Sequence, residues 1–581
     1  MTNLASPAGG FGYQYPGTRP SALIARLALP NSAYITNAYD VVARLAGTYL
    51  KNSSNNVLDG YTYACNQLGQ RTNIVRDYGL MNSTASAGYD TIGELTSWTA
   101  KDFGGTSRLN EQLGYAYDAA QNLKLRTNNT LVQTFSVDAL NELTNISRAG
   151  TLTVSGNTPT PASSVTVNTS NAVRYADFTF ASSNGFTLAN GNNIFTNIAK
   201  NYYGTASVTN VITANLPVNV TPQFDANGNM TNDGTRSLSY DTENQLTNVT
   251  VAGQWREDFL YDGMNRRRIT RQYIWQSGAW ALTNETRFVY DGNVVIQERD
   301  SNNVAQVTYT RGLDLSGSLQ GAGGIGGLLA RTDTNGSAFY HADGNGNITS
   351  LMGTNQYIVA RYLYDPFGKM LGKWGTLADA NVYRFSSKEW DANSGFYYYL
   401  YRSYNPNLLR WLNRDPIGER GSKNLYVFSK NSPVIFIDSN GYRPLGPLPP
   451  NNLPTQPRPP GGVPSSGNRP VNNPASASDN PTDGAAGAAG IAGDLMNEAS
   501  RIRAFNQIYA DCNQVEHSVN RNCYCCVGIL TEILNKEDAY YYKSGRGMVI
   551  RKKCSEAVPE VRNQGFLTQQ GDIIELWPIS W

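Results

Sequence analysis

Charge is scarce in this chain of 581 residues. Charged side chains make up 16% and sum to a net +2, against roughly 25% charged in an ordinary globular protein. No field of one sign is available to steer nucleic acid or an anionic membrane, so neither is expected as a partner. Histidine is scarcer still: His341 and His517 are the two present, which argues against a histidine-built metal hydrolase over most of the length. Five of the six cysteines fall late, at Cys512, Cys523, Cys525, Cys526 and Cys554, leaving Cys65 alone. No run approaches the ~18 apolar residues of a membrane span. The opening MTNLASPAGG shows no charged segment followed by an apolar one, hence no visible secretory signal. A soluble protein, or a soluble fragment of one, is expected, with no cofactor.

Tyrosine (36) and glycine (55) are abundant. Tyrosine suits a half-buried pleated surface, and glycine accepts positive φ at hairpin turns, so the composition favours strands and turns over helices. A Tyr-Asp pair keeps returning: YDVVARL at Tyr39, YDTIGEL at Tyr89, YDAAQNL at Tyr117, YDTENQL at Tyr240, YDGMNRR at Tyr261, YDGNVVI at Tyr290 and YDPFGKM at Tyr364. Degenerate copies begin at Tyr63, Val137, Phe224 and Ala342. The unit reads as a β-hairpin: an aromatic ends one strand, Asp with the following Gly or Asn makes an Asx-type turn, and an apolar residue opens the return strand. A lone hairpin is marginal in water, whereas stacked hairpins bury a continuous surface.

These repeats resemble the YD repeats of the RHS family. The block RFSSKEWDANSGFYYYLYRSYNPNLLRWLNRDPIGERGSKNLYVFSKNSPVIFIDSNGY is similar to that family's repeat-associated core. The resemblance implies a long β-sheet spiralling into a shell that holds a variable C-terminal domain, in proteins that are toxin carriers, contact-dependent effectors or secreted polymorphic toxins. The fold expected is therefore mostly β: a YD-repeat hairpin spiral forming a partial, open shell, with a small α+β domain at the end. A lead-in (1–29) precedes repeats at 30–149 and 217–360, and the core occupies 361–442. Residues 150–216 lack the Tyr-Asp turn; their alternating strands suggest an immunoglobulin-like β-sandwich insert, or else two irregular repeats. A Pro/Gly-rich tether (443–490) leads to the C-terminal domain, 491–581.

Two aspartates, Asp415 in DPIG and Asp438 in DSNG, stand 23 residues apart just before the tether. From the residues alone they are either two turns or the parts of one site. The resemblance implies autoproteolysis, with Asp415 and Asp438 matching the family's paired aspartates, Arg402 its arginine, and the bond after Tyr442 the one cut. Two close carboxylates can divide the work of acid and base, and a guanidinium can stabilise the charge that develops. This chain departs from the family's DPxGL at Ser439 and Tyr442. In the C-terminal domain, Cys512 and His517 are open to a nucleophilic Cys–His pair. Cys512, His517, Cys523 and Cys526 suggest a zinc site, and the reading favoured is two disulfides plus a spare thiol in an exported domain. A secreted or cell-surface toxin-like protein with an immunity-protein partner is expected. The rival is a non-enzymatic protein that binds carbohydrate or a cell-surface partner through its repeats.

Overall fold

The computed structural model describes residues 1–17, 23–79, 81–442 and 444–446. These belong to a unit comprising Met1–Pro457; the second unit is Arg458–Trp581. Apart from residues 444–446, the tether lies outside the described residues, as do the C-terminal domain and the candidates Cys512, His517, Cys523 and Cys526.

Two fourteen-stranded antiparallel sheets dominate. The first runs from Asn3–Ser6 to Leu143–Ala149 in chain order and ends on Asn219–Val220; the second runs in chain order from Gln223–Phe224 to Met370–Trp374. No α-helix occurs among the described residues, so none there could cross a membrane.

The repeat explains the order. At Asp241, one carboxylate oxygen accepts the amide N–H groups of Glu243 and Gln245, both at 2.9 Å. Asp90, Asp118, Asp262 and Asp365 hold their turns in the same way. The turn's fourth residue takes the left-handed conformation, as at Asn244 (φ 59) and Asn265 (φ 60), the geometry of a type I turn closed by a bulge. The tyrosine before the aspartate then reaches back one hairpin. Tyr261 Oη donates to the Leu246 carbonyl at 2.8 Å, and Tyr364 Oη to that of Ile348 at 2.9 Å. Leu246 and Ile348 each open the return strand of the preceding turn. Aspartate thus closes a turn, and tyrosine joins it to the turn before.

Two copies differ from the sequence pattern. Tyr290–Asp291 lies within a strand, and Asp291 pairs directly with Val294 across a two-residue turn. In the copy beginning at Tyr63, the turn is made by Asn66, with Cys65 in the place of tyrosine.

The sheets share one core. Tyr61, Trp98 and Tyr115 of the first pack in one apolar cluster with Tyr309, Tyr340 and Tyr362 of the second. Into the same cluster run Tyr397, Tyr399, Tyr404, Trp411 and Phe428 of the segment that follows the last long strand. That segment carries a four-stranded sheet, Glu389–Trp390 to Arg410–Trp411. A buried polar cluster also ties the sheets: Asp59 Oδ2 of the first accepts from Thr349 and Ser350 of the second and lies 2.8 Å from His341 Nδ1.

Residues 151–216 build a separate six-stranded sheet plus a two-stranded ladder, with a core of Val165, Val167, Phe180 and Phe195. Arg108 of the first long sheet pins this insert: it contacts Glu111 at 2.6 Å and Asp177 of the insert at 2.8 Å, all three side chains buried. Burial alone would raise the Glu111 carboxyl, but Arg76 and Arg108 beside it hold it down at about 2.

Candidate functional site

The short strand Ile437–Asp438 pairs antiparallel with Pro444–Leu445, Asp438 opposite Pro444. The DSNGY turn between them folds the chain back over its own aspartate. Asp438 Oδ1 accepts three successive amides, from Asn440 at 3.3 Å, Gly441 at 2.8 Å and Tyr442 at 3.2 Å. Gly441 adopts φ 87, a conformation that a side chain disfavours. Asp438 is completely buried, and its Oδ2 makes no hydrogen bond among the described residues.

Arg402 stands on the other side. Its Nη2 donates to Asp415 Oδ2 at 2.8 Å and lies 3.7 Å from Asp438 Oδ2. Its Nη1 donates to the Leu425 carbonyl at 3.1 Å, and its Nε to the Gly441 carbonyl. The guanidinium also lies over the Trp411 ring, 4.2 Å from its centroid. Arg402, Asp415 and Asp438, which the sequence singles out, thus come together in a buried cluster beside the Tyr442 backbone.

The electrostatics follow from that burial. Removal from water pushes the Asp415 carboxyl up, and the neighbouring Arg402 only partly opposes this. The same burial lowers Arg402 despite Asp438 and Asp415 beside it. Burial works against the charge of both members of the pair, because each charge costs free energy to desolvate, but the guanidinium stays cationic.

Three further residues shape the site without any local sequence signal. Lys388 Nζ donates to the Ser439 carbonyl at 2.6 Å and the Gly323 carbonyl at 3.1 Å; burial lowers its pKa to about 7, against the pull of Asp438. Gly421 leaves room where a β-carbon would meet Asp415 Oδ2 at 2.6 Å and the Tyr442 carbonyl oxygen at 2.8 Å. Both oxygens thus crowd the same glycine, and a side chain there would clash with each. Tyr401 stacks on Tyr442 with ring centroids 4.0 Å apart and planes 4° from parallel. All three contacts join positions far apart in the chain, so only the fold reveals them. Among the described residues, no group of three or more His, Cys, Asp or Glu is placed to hold a metal.

No family model matches the sequence. The tRNA3(Ser)-specific nuclease WapA of Bacillus spizizenii is 28% identical over 231 residues, covering 38% of this chain and 9% of that protein. Toxin subunit YenC1 of Yersinia entomophaga is 27% identical over 277 residues, 44% of this chain and 27% of that one. The chain therefore spans about a tenth to a quarter of the length of these relatives. Among solved structures, the complex TcdB2-TccC3-Cdc42 superposes over 74% of this chain and 21% of that one, with a TM-score of 0.35 and 18% identity. Over its matched segments, the chain is homologous to a bacterial tRNA nuclease and a bacterial toxin subunit.

Proposed function

We propose that this chain is an RHS-type toxin carrier that cuts itself between Tyr442 and Arg443, separating residues 443–581 from the β-structure. The observation that carries the reading is the position of Arg402, whose guanidinium reaches Asp415, Asp438 and the Gly441 carbonyl at once. A cluster built only to close a turn has no need of a second buried carboxylate.

The chemistry is hydrolysis by water. Asp438 Oδ2 takes a proton as the water oxygen bonds to the Tyr442 carbonyl carbon. Asp415, whose neutral form is favoured by burial, donates a hydrogen bond to the developing oxyanion, and Arg402 adds positive charge. Asp438 then returns its proton to the Arg443 nitrogen as the C–N bond breaks. Two carboxylates with different surroundings can divide base and acid in this way.

In this reading, residues 30–149 and 217–360 form the partial shell, 361–442 the processing core, and 491–581 an effector on its tether. The relatives' names as nuclease and toxin subunit support a toxin cargo without fixing its activity. An immunity protein for residues 491–581 and a secreted or cell-surface location belong to the same proposal. Intact-mass measurement on the purified chain tests it: species corresponding to 1–442 and 443–581 are expected. Persistence of a single full-length species contradicts it.

A further inference from the structure

The dipeptide Tyr401–Arg402 grips the three residues before the proposed cut in succession. The Tyr401 amide donates to the Asn440 carbonyl at 3.2 Å, Arg402 Nε donates to the Gly441 carbonyl, and the Tyr401 ring lies flat on that of Tyr442. Tyr442 is then held at two points, its ring by Tyr401 and its amide by Asp438 Oδ1 at 3.2 Å, while its carbonyl oxygen lies close to Gly421. Both rings are partly buried, and burial raises the hydroxyl pKa of each.

We infer that Tyr401 is a positioning and specificity-determining residue that selects an aromatic side chain immediately before the cut. The inference rests on the self-cleavage reading above and names the group that reads its substrate. A parallel stack at this separation restricts rotation of the residue whose carbonyl carbon is attacked. A small displacement of that carbon from the two carboxylates costs rate steeply. An aliphatic residue at 442 would offer no face for Tyr401 to cover. Large at both positions, the pair fills one shared space. That accounts for the tyrosine at 442, where the resemblance leads one to expect leucine.

The test follows the appearance of the 443–581 fragment from the full chain over time, with Tyr401→Phe, Tyr401→Leu, Tyr401→Ala, Tyr442→Phe and Tyr442→Leu compared with the unchanged protein. Both phenylalanine variants keep the ring and are expected to cleave at near the original rate. Tyr401→Ala and Tyr442→Leu lose the stack and are expected to slow about tenfold, since such a pair contributes on the order of one tenfold step. Tm is measured for each variant. A Tyr401→Ala chain that keeps its Tm and is rescued by phenylalanine but not by leucine identifies positioning rather than general folding. Equal rates for the unchanged and Tyr401→Ala chains overturn the inference while leaving self-cleavage intact. So does slowing by Tyr401→Ala that leucine relieves as well as phenylalanine. Absence of the fragment from the unchanged chain overturns the self-cleavage reading itself, and the inference with it.

Discussion

Arg402 donates to Asp415 at 2.8 Å from the same nitrogen that lies 3.7 Å from Asp438. One cation therefore serves two carboxylates, and its other two nitrogens, Nη1 and Nε, donate to the Leu425 and Gly441 carbonyls. Lysine carries the charge but not the fork, so it cannot hold these acceptors together. Arg402→Lys is expected to slow fragment formation by about 10²-fold or more and to lower stability by about 3 kcal/mol. A time course of the fragment and a urea titration measure the two effects separately.

Gly421 has an ordinary backbone conformation for any residue, since its φ is −81. Alanine there is blocked only by what its methyl would touch, Asp415 Oδ2 and the Tyr442 carbonyl oxygen. Gly421→Ala is expected to reduce cleavage about tenfold or more by shifting the Asp415 carboxylate and the Tyr442 carbonyl, and to lower stability by about 1–3 kcal/mol through overpacking. Gel quantitation of the fragment beside a thermal melt checks this.

Glu257 gives a stability prediction away from the site. It is fully buried, with Oε1 bonded to Gln272 and Asn393 at 2.8 Å each and Oε2 without a hydrogen bond among the described residues. Burial, reinforced by the charge of Asp391, pushes its carboxyl up to about 9. The folded form thus binds a proton that the unfolded form releases near pH 4.3. The stability this provides is complete below that pH and declines as the pH rises toward about 9, because the unfolded state binds fewer protons in that window. Glu257→Gln mimics the neutral acid. It is expected to change stability little at pH 4 and to raise it by about 1–3 kcal/mol at pH 8, read from urea titrations at both values.

Tyr364 tests the link between hairpins. Tyr364→Phe removes the donor to the Ile348 carbonyl while keeping the buried ring. A loss of about 1–2 kcal/mol is expected from the unsatisfied carbonyl. The matching change at Tyr357, which is exposed and makes no such link, is expected to cost under about 0.5 kcal/mol.

The repeat was legible because both of its residues act locally: aspartate captures amides two and four residues on, and tyrosine reaches the neighbouring hairpin. The turn at Asp300, which captures Asn302 and Val304 in the same way, has no tyrosine before it and escaped the pattern. Tyr290–Asp291 matched the pattern yet sits in a strand, since Gly292 and Asn293 form a shorter turn that the dipeptide does not specify. At the site, Arg402, Asp415 and Asp438 were found through a resemblance in their motifs. Lys388, Gly421 and Tyr401 were not, because their importance lies in contacts made across the folded core. The Arg108–Asp177 ion pair, which joins the first long sheet to the insert, is invisible in sequence for the same reason.

The most direct test of the central claim is synthesis of the full chain in a purified translation system, followed by N-terminal sequencing of any smaller product. A fragment beginning at Arg443 is predicted, absent or at least about 10²-fold slower to appear in Asp415→Asn and Asp438→Asn. A chain that stays whole, or a fragment that forms equally well in both variants, would contradict it.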